Sequence, residues 1–210
     1  MLVKRIIVFT LLILLVSFSA AADELVLSTG ERYKGELLND SLKIKTEYAE
    51  FNLDTTYLIR AEKRDNNFYL KLTDNSHYQA AILNELRFAI SAQELQIKPA
   101  QLKSLSLKTK DNYSSKADLV LTTINGDFFK ANFVEEKISI KTKLNAPFDL
   151  FLNNLIMVER LGSDLFSFKL KDGRELEAQF AQETIIIWPK GAELIEFKLK
   201  QLQKMNFNGS

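Results

Sequence analysis

A pattern of about fifty residues recurs four times along this chain, and a fixed period of that length constrains the fold before any single residue does. Gly30, Asn75, Gly126 and Gly173 mark a turn in each copy, at spacings of 45, 51 and 47. Three residues after each marker stands a bulky side chain (Tyr33, Tyr78, Phe129, Leu176), and five after it a small one (Gly35, Ala80, Ala131, Ala178). Seven after it comes an apolar one (Leu37, Ile82, Phe133, Phe180).

Each copy reads as β-strands. Apolar residues two apart precede the turn, as in Leu25 and Leu27 or Phe168 and Leu170, and further pairs follow, as in Ile138 and Ile140 or Ile195 and Phe197. Period two with polar residues between marks a strand with one face inward and one toward water. Glycine at three of the four markers suits a tight hairpin that needs positive φ, and asparagine tolerates the same region. The small residue sits between two inward bulky ones, where the strand is expected to bend across its own module. Every copy closes on two apolar residues three apart: Leu58 and Ala61, Leu102 and Leu105, Leu155 and Val158, Leu202 and Met205. That spacing does not fit a regular strand and predicts a single helical turn leading into a short final strand.

The predicted architecture is all-β: four tandem small barrel-like meanders of about 45–50 residues, arranged as two pairs, with a four-bladed propeller as the alternative. The modules run over 23–65, 66–111, 112–162 and 163–210. The polar stretch Lys108–Ala117, including the linker 112–117, separates the two pairs.

Residues 1–22 read as a secretory signal peptide: Lys4 and Arg5, an apolar run over Ile6–Val16, and the small residues Ala20, Ala21 and Ala22 at the cleavage site. Cleavage there leaves 188 of the 210 residues, with 26 basic and 27 acidic side chains. That balance excludes the strong basic excess of nucleic-acid binders. There is no cysteine, hence no disulfide, thiolate ligand or thiol nucleophile. No later stretch is long enough to cross a bilayer as a helix.

The order of apolar strand, glycine turn, bent second strand and closing apolar pair resembles the Sm-like and SH3-like small barrels. It is most similar to exported bacterial proteins carrying such modules in tandem, including modules that precede an outer-membrane barrel in a Gram-negative family of unknown function. Leu25–Ala61 carries the best match, through Leu27-x-x-Gly30 and Gly35-x-Leu37. The resemblance implies packing rather than chemistry. Asn39-Asp40 corresponds to the first RNA-contacting loop of Sm proteins, but the second such motif is absent from all four copies, so RNA binding does not carry over.

Side chains able to do chemistry are scattered. His77, the only histidine, reads as a solvated turn residue without a partner. Glu135, Glu136, Asp164, Asp172, Glu175 and Glu177 read as surface charge, and no calcium-loop spacing is present. Lys103, Lys108 and Lys110, near Tyr113, read as edge and linker lysines that oppose strand addition. Trp188 and Ile186 point outward on the most apolar strand, which predicts a face covered by another module or a ligand contact; Phe128 poses the same choice, and Tyr113 is the fourth candidate. The expectation is a non-enzymatic exported protein without cofactor or metal, acting as a protein-binding or scaffold component of the bacterial cell envelope, periplasmic, outer-membrane-associated or extracellular. Glycan binding through exposed aromatics is the alternative.

Overall fold

The turn markers do what their residue types allow. Gly30, Gly126 and Gly173 have φ of 95°, 88° and 87°, and Asn75 has 70°. In each turn the marker N–H donates to the carbonyl three residues back (Leu27, Leu72, Thr123, Leu170), and that residue's own N–H donates to the carbonyl one past the marker. The geometry is therefore the same at all four places, in a computed structural model that describes residues 22–108, 116–143 and 146–208. The signal-peptide reading (1–22, apart from Ala22), Tyr113, Lys110 and most of the linker lie outside the described residues.

The protein is all-β. The first segment holds β1 (Asp23–Leu27), β2 (Arg32–Leu37), β3 (Ser41–Lys45), β4 (Glu50–Asp54), the 3-10 turn η1 (Thr55–Tyr57) and β5 (Leu58–Arg64). The second holds β6 (Asn67–Leu72), β7 (His77–Ile82), β8 (Leu86–Ile90), β9 (Gln93–Ile97), η2 (Pro99–Gln101) and β10 (Leu102–Ser106). The third holds β11 (Leu119–Thr123), β12 (Phe128–Phe133), β13 (Lys137–Lys141), β14 (Phe148–Phe151), η3 (Leu152–Asn154) and β15 (Leu155–Arg160). The fourth holds β16 (Phe166–Leu170), β17 (Glu175–Phe180), β18 (Thr184–Pro189), β19 (Ile195–Lys198), η4 (Leu199–Gln201) and β20 (Leu202–Phe207).

Strands are exchanged between segments. Within the first, only β1 with β2 and β3 with β4 pair. The β3–β4 hairpin continues from β7 of the second segment, and the β8–β9 hairpin continues from β2 of the first. The fifth strands complete the exchange: β5 pairs with β6 and β10, and β10 pairs with β1. The first half therefore runs β9-β8-β2-β1-β10-β5-β6-β7-β3-β4, in which adding five to each strand number reverses the order. Strands β11 to β20 repeat this arrangement as β14-β13-β17-β16-β15-β20-β11-β12-β18-β19. The antiparallel sheet is open, and it singles out neither four closed barrels nor four propeller blades.

The small residue of each second strand is where the exchange occurs. Gly35, Ala80, Ala131 and Ala178 are the last residues paired with the preceding strand, and pairing passes there or at the next residue to the other segment's hairpin. A Cβ on Gly35 would lie 1.9 Å from the Ala89 carbonyl oxygen and 2.8 Å from Phe88 Cε1. The close approach comes from the neighbouring segment, not from the same module as the sequence predicted, because the bend hands the strand to a foreign partner.

The expected helical turn leading into a final strand is present in all four segments, as η1 to η4, but the spacing of the closing pairs has another cause. The 3-10 turn precedes them, and both members lie on the fifth strand, buried. Register shifts leave Ile59, Lys103, Ile156 and Gln203 without a partner in their ladders. A bulge sets two residues against one, so residues three apart return to the same face. The inward set otherwise behaves as period two demands. Ile44, Phe51, Ile140, Leu170, Ile187 and Phe197 are buried, while Leu27, Leu37 and Phe180 are half-buried.

Candidate functional site

The two halves meet through equivalent positions of the second and third segments. His77 pairs with Phe128 backbone to backbone, and their rings stack at 5.8 Å. On either side the same hydrogen bond is made twice: Ser76 Oγ accepts from the Lys130 amide at 3.2 Å, and Asp127 Oδ1 accepts from the Gln79 amide at 2.7 Å. Each acceptor is one residue past a turn marker and each donor four past, the self-complementary geometry of a two-fold contact. His77 is thus no solvated turn residue. Its Nε2 lies 3.0 Å from the Gly126 carbonyl, and its ring lies 5.3 Å from Tyr69. Phe128 is half-buried here, which makes it a contact between halves.

Beneath the contact, all four segments supply rings to one cluster. Phe129 lies 5.6 Å from Tyr48, 5.3 Å from Tyr78 and 6.1 Å from Phe197, and Phe51 lies 5.8 Å from Tyr78. Two carboxylates are enclosed beside these rings. Asp74 Oδ1 accepts from the Ser76 amide, while Asp74 Oδ2, Asp127 Oδ2 and the Tyr48 and Tyr78 hydroxyls make no hydrogen bond of normal geometry among the described residues. Burial pushes the Asp127 carboxyl up from 3.8 to about 6, against the opposing pull of the Gln79 amide. Burial, reinforced by neighbouring carboxylates, also holds both tyrosine hydroxyls well above their usual range. The sequence carried no signal for Asp127, because its place after the turn is held by Glu31, Ser76 and Arg174 elsewhere.

A second contact joins the halves at the fourth segment. The turn after β18 docks on β4: Leu53 bridges Ala192, the Asp54 amide donates to the Gly191 carbonyl at 2.8 Å, and Glu193 accepts from the Asn52 amide at 2.9 Å. Gly191 has φ of 72°, and a Cβ there would lie 2.6 Å from Tyr57 Cγ. Trp188 braces this turn by donating its indole N–H to the Ala192 carbonyl at 2.8 Å.

Trp188 and Ile186 remain 54% and 41% exposed, so the expected cover by another module is not supplied by the described residues. They share the outward face of β18, opposite Asn132 of β12 and Glu196 of β19 respectively. Exposed Val134 follows Phe133, the partner of Ile187, and exposed Leu194 precedes Ile195 beside Trp188, which extends the apolar strip. Glu135 reaches its rim, 3.3 Å from the Ile186 amide. The structure thus brings Trp188 and Ile186 together and places Phe128 elsewhere, at the junction.

Among the described residues, no group of three or more His, Asp or Glu side chains could hold a metal ion, and no helix is long and apolar enough to cross a membrane. No family model, curated protein or solved structure matches this chain.

Proposed function

We propose that this protein is a non-enzymatic exported repeat protein that serves as a protein-binding or scaffold component of the bacterial cell envelope, with the outward face of β18 as its contact surface. The observation that carries this reading is a comparison inside the chain. Where the fourth segment exposes Ile186 and Trp188, the corresponding outward positions hold Lys43 and Lys45 in β3, Arg87 and Ala89 in β8, and Ser139 and Lys141 in β13. Three third strands place no large apolar side chain on that face and one places two, so its apolar character is not required by the fold. Tryptophan is also among the residues most enriched at the energetic centres of protein interfaces. A photoreactive residue at Ile186 should crosslink a discrete envelope protein that the same group at Ser139 does not. Identical labelling from both positions overturns the assignment of this face.

Glycan binding is the second reading, favoured by the fixed indole of Trp188, whose N–H is already bonded while its ring stays exposed. A planar aromatic surface held in place suits the apolar face of a sugar ring. Quenching or a shift of tryptophan emission during titration with cell-wall saccharides supports it, and an unchanged spectrum removes it.

A further inference from the structure

The two halves carry the same cleft with opposite charge. In the first half it lies between the end of β2 and η1, lined by Glu36, Asp40 and Asp54, and a small adjoining cavity adds Asp23, Leu107 and Lys108. In the second half the corresponding space, between the end of β17 and η4, is a cavity of about 540 Å³ lined by Lys141, Arg160, Lys198 and Lys200 with Phe166 and Phe180. Most positions correspond, Lys141 being the exception, since its counterpart Ala89 does not line the first-half cleft. Asp54 precedes η1 as Lys198 precedes η4, Leu37 and Phe180 end their second strands, and Leu107 stands five residues past Leu102 as Arg160 stands five past Leu155. The backbone makes the cleft, and side chains alone decide its sign.

Arg160 shapes the basic version. It closes β15 opposite Phe166, with its guanidinium 4.5 Å from that ring. Its donors go to backbone carbonyls: Nε to Leu202 at 2.7 Å, Nη2 to Lys200 at 2.8 Å and Leu199 at 3.2 Å, and Nη1 to Gly162 and Ser163. This ties η4 to the end of β15 and holds Lys198 and Lys200 on the rim. Lys141 approaches from the other side, opposite Gln179 on the β13–β17 ladder. All three lysines are exposed and none forms an ion pair among the described residues. The carboxylates of the cleft, Asp164 and Glu183, leave the four cations in excess.

We propose that this cleft binds a small organic oligoanion, a molecule carrying two or more phosphate or carboxylate groups, with Lys141, Lys198 and Lys200 pairing the oxyanions and Phe180 contacting the framework between them. The volume lies within the range of about 300–1,000 Å³ typical of small-molecule sites, well beyond a single ion. Lysine contacts phosphate as a mobile point charge, which suits a cleft whose three lysines sit on three separate elements. The inference does not rest on the Trp188 face: the cleft takes only Thr184 from the start of β18, while Ile186 and Trp188 stand further along that strand and do not line it.

The test is calorimetric titration of the full chain with tripolyphosphate and with citrate, and sedimentation with vesicles containing phosphatidic acid. Wild-type protein should bind at least one soluble probe, more weakly as salt is raised, because screening shortens to about 10 Å at 0.1 M. The double variant Lys198→Gln/Lys200→Gln, on exposed positions, should lose about tenfold in affinity, whereas Lys34→Gln/Lys71→Gln in the first half should bind as wild type. Vesicle binding that tripolyphosphate displaces identifies a lipid headgroup as the source of the oxyanion; soluble binding without vesicle binding identifies a free molecule. No binding of any probe overturns the proposal, and so does equal loss in the two double variants, which would mean attraction to net charge alone.

Discussion

His77 and Phe128 stand at the same position of their hairpins, two residues past a turn marker, and they meet face to face as the pair joining β7 to β12. Equivalent residues in contact are the mark of a two-fold interface. The first and second halves, each already an exchange of strands between two segments, are therefore related inside one chain as two subunits of a dimer would be.

Asp127 makes that junction sensitive to pH. Its folded carboxyl titrates near 6 against an ordinary 3.8, so folding takes up a proton between those values. Its contribution is most favourable below about 3.8 and is lost as pH rises toward 6. Asp127→Asn keeps an acceptor for the Gln79 amide and cannot ionise. Relative to that variant, wild type should lose on the order of 2–3 kcal/mol between pH 4 and pH 7. Urea melts of both proteins at the two pH values measure this; a constant difference means the carboxyl is not desolvated.

Gly191 holds the second contact between the halves. Gly191→Ala adds a Cβ against the Tyr57 ring at a φ of 72°, so the turn must withdraw from β4. The expected cost is about 1–3 kcal/mol. Hydrogen exchange should accelerate at the amides of Asn52 and Asp54, which bond to Glu193 and Gly191, while amides of the β5–β6 ladder keep their protection.

The strand-exchange position tolerates no larger side chain. Ala131→Leu and Ala178→Leu should each cost about 1–3 kcal/mol, because both residues are fully enclosed. Glu177→Leu, one residue away and exposed, should stay within about 0.5 kcal/mol. Gly35→Ala, though it adds only a methyl group, should cost more than Glu177→Leu, since the clash is with a backbone oxygen that cannot rotate away. Denaturant midpoints of the four variants rank them.

Ile140 is inaccessible to solvent and faces Phe180 across the exchanged ladder. Ile140→Asp buries a charge without a partner and should cost about 4 kcal/mol or more. An unchanged melting temperature would place Ile140 outside the core.

What the chain determines by itself is local. Residue types at the four markers set the turns, because glycine and asparagine accept positive φ and few others do. Alternation set the inward faces of the strands, since a strand can bury only every second side chain. The outward phase of Trp188 and Ile186 follows from the same rule. What only the tertiary structure decided is which strand each bent strand meets. A small residue at the bend permits close approach but does not say from where, and the neighbour's hairpin arrives where the same module's was expected. The closing apolar pairs led to a turn and final strand that are present, but not to the cause of their own spacing: a bulge is a property of two paired strands, so one strand's spacing cannot distinguish it from a helical turn. The basic cleft was illegible because Lys141, Arg160, Lys198 and Lys200 are brought together only by the β13–β17 exchange and by the hydrogen bonds of Arg160 to η4. Unremarkable at their turns, Asp127 becomes buried and His77 stacked only because a second, equivalent turn packs against them.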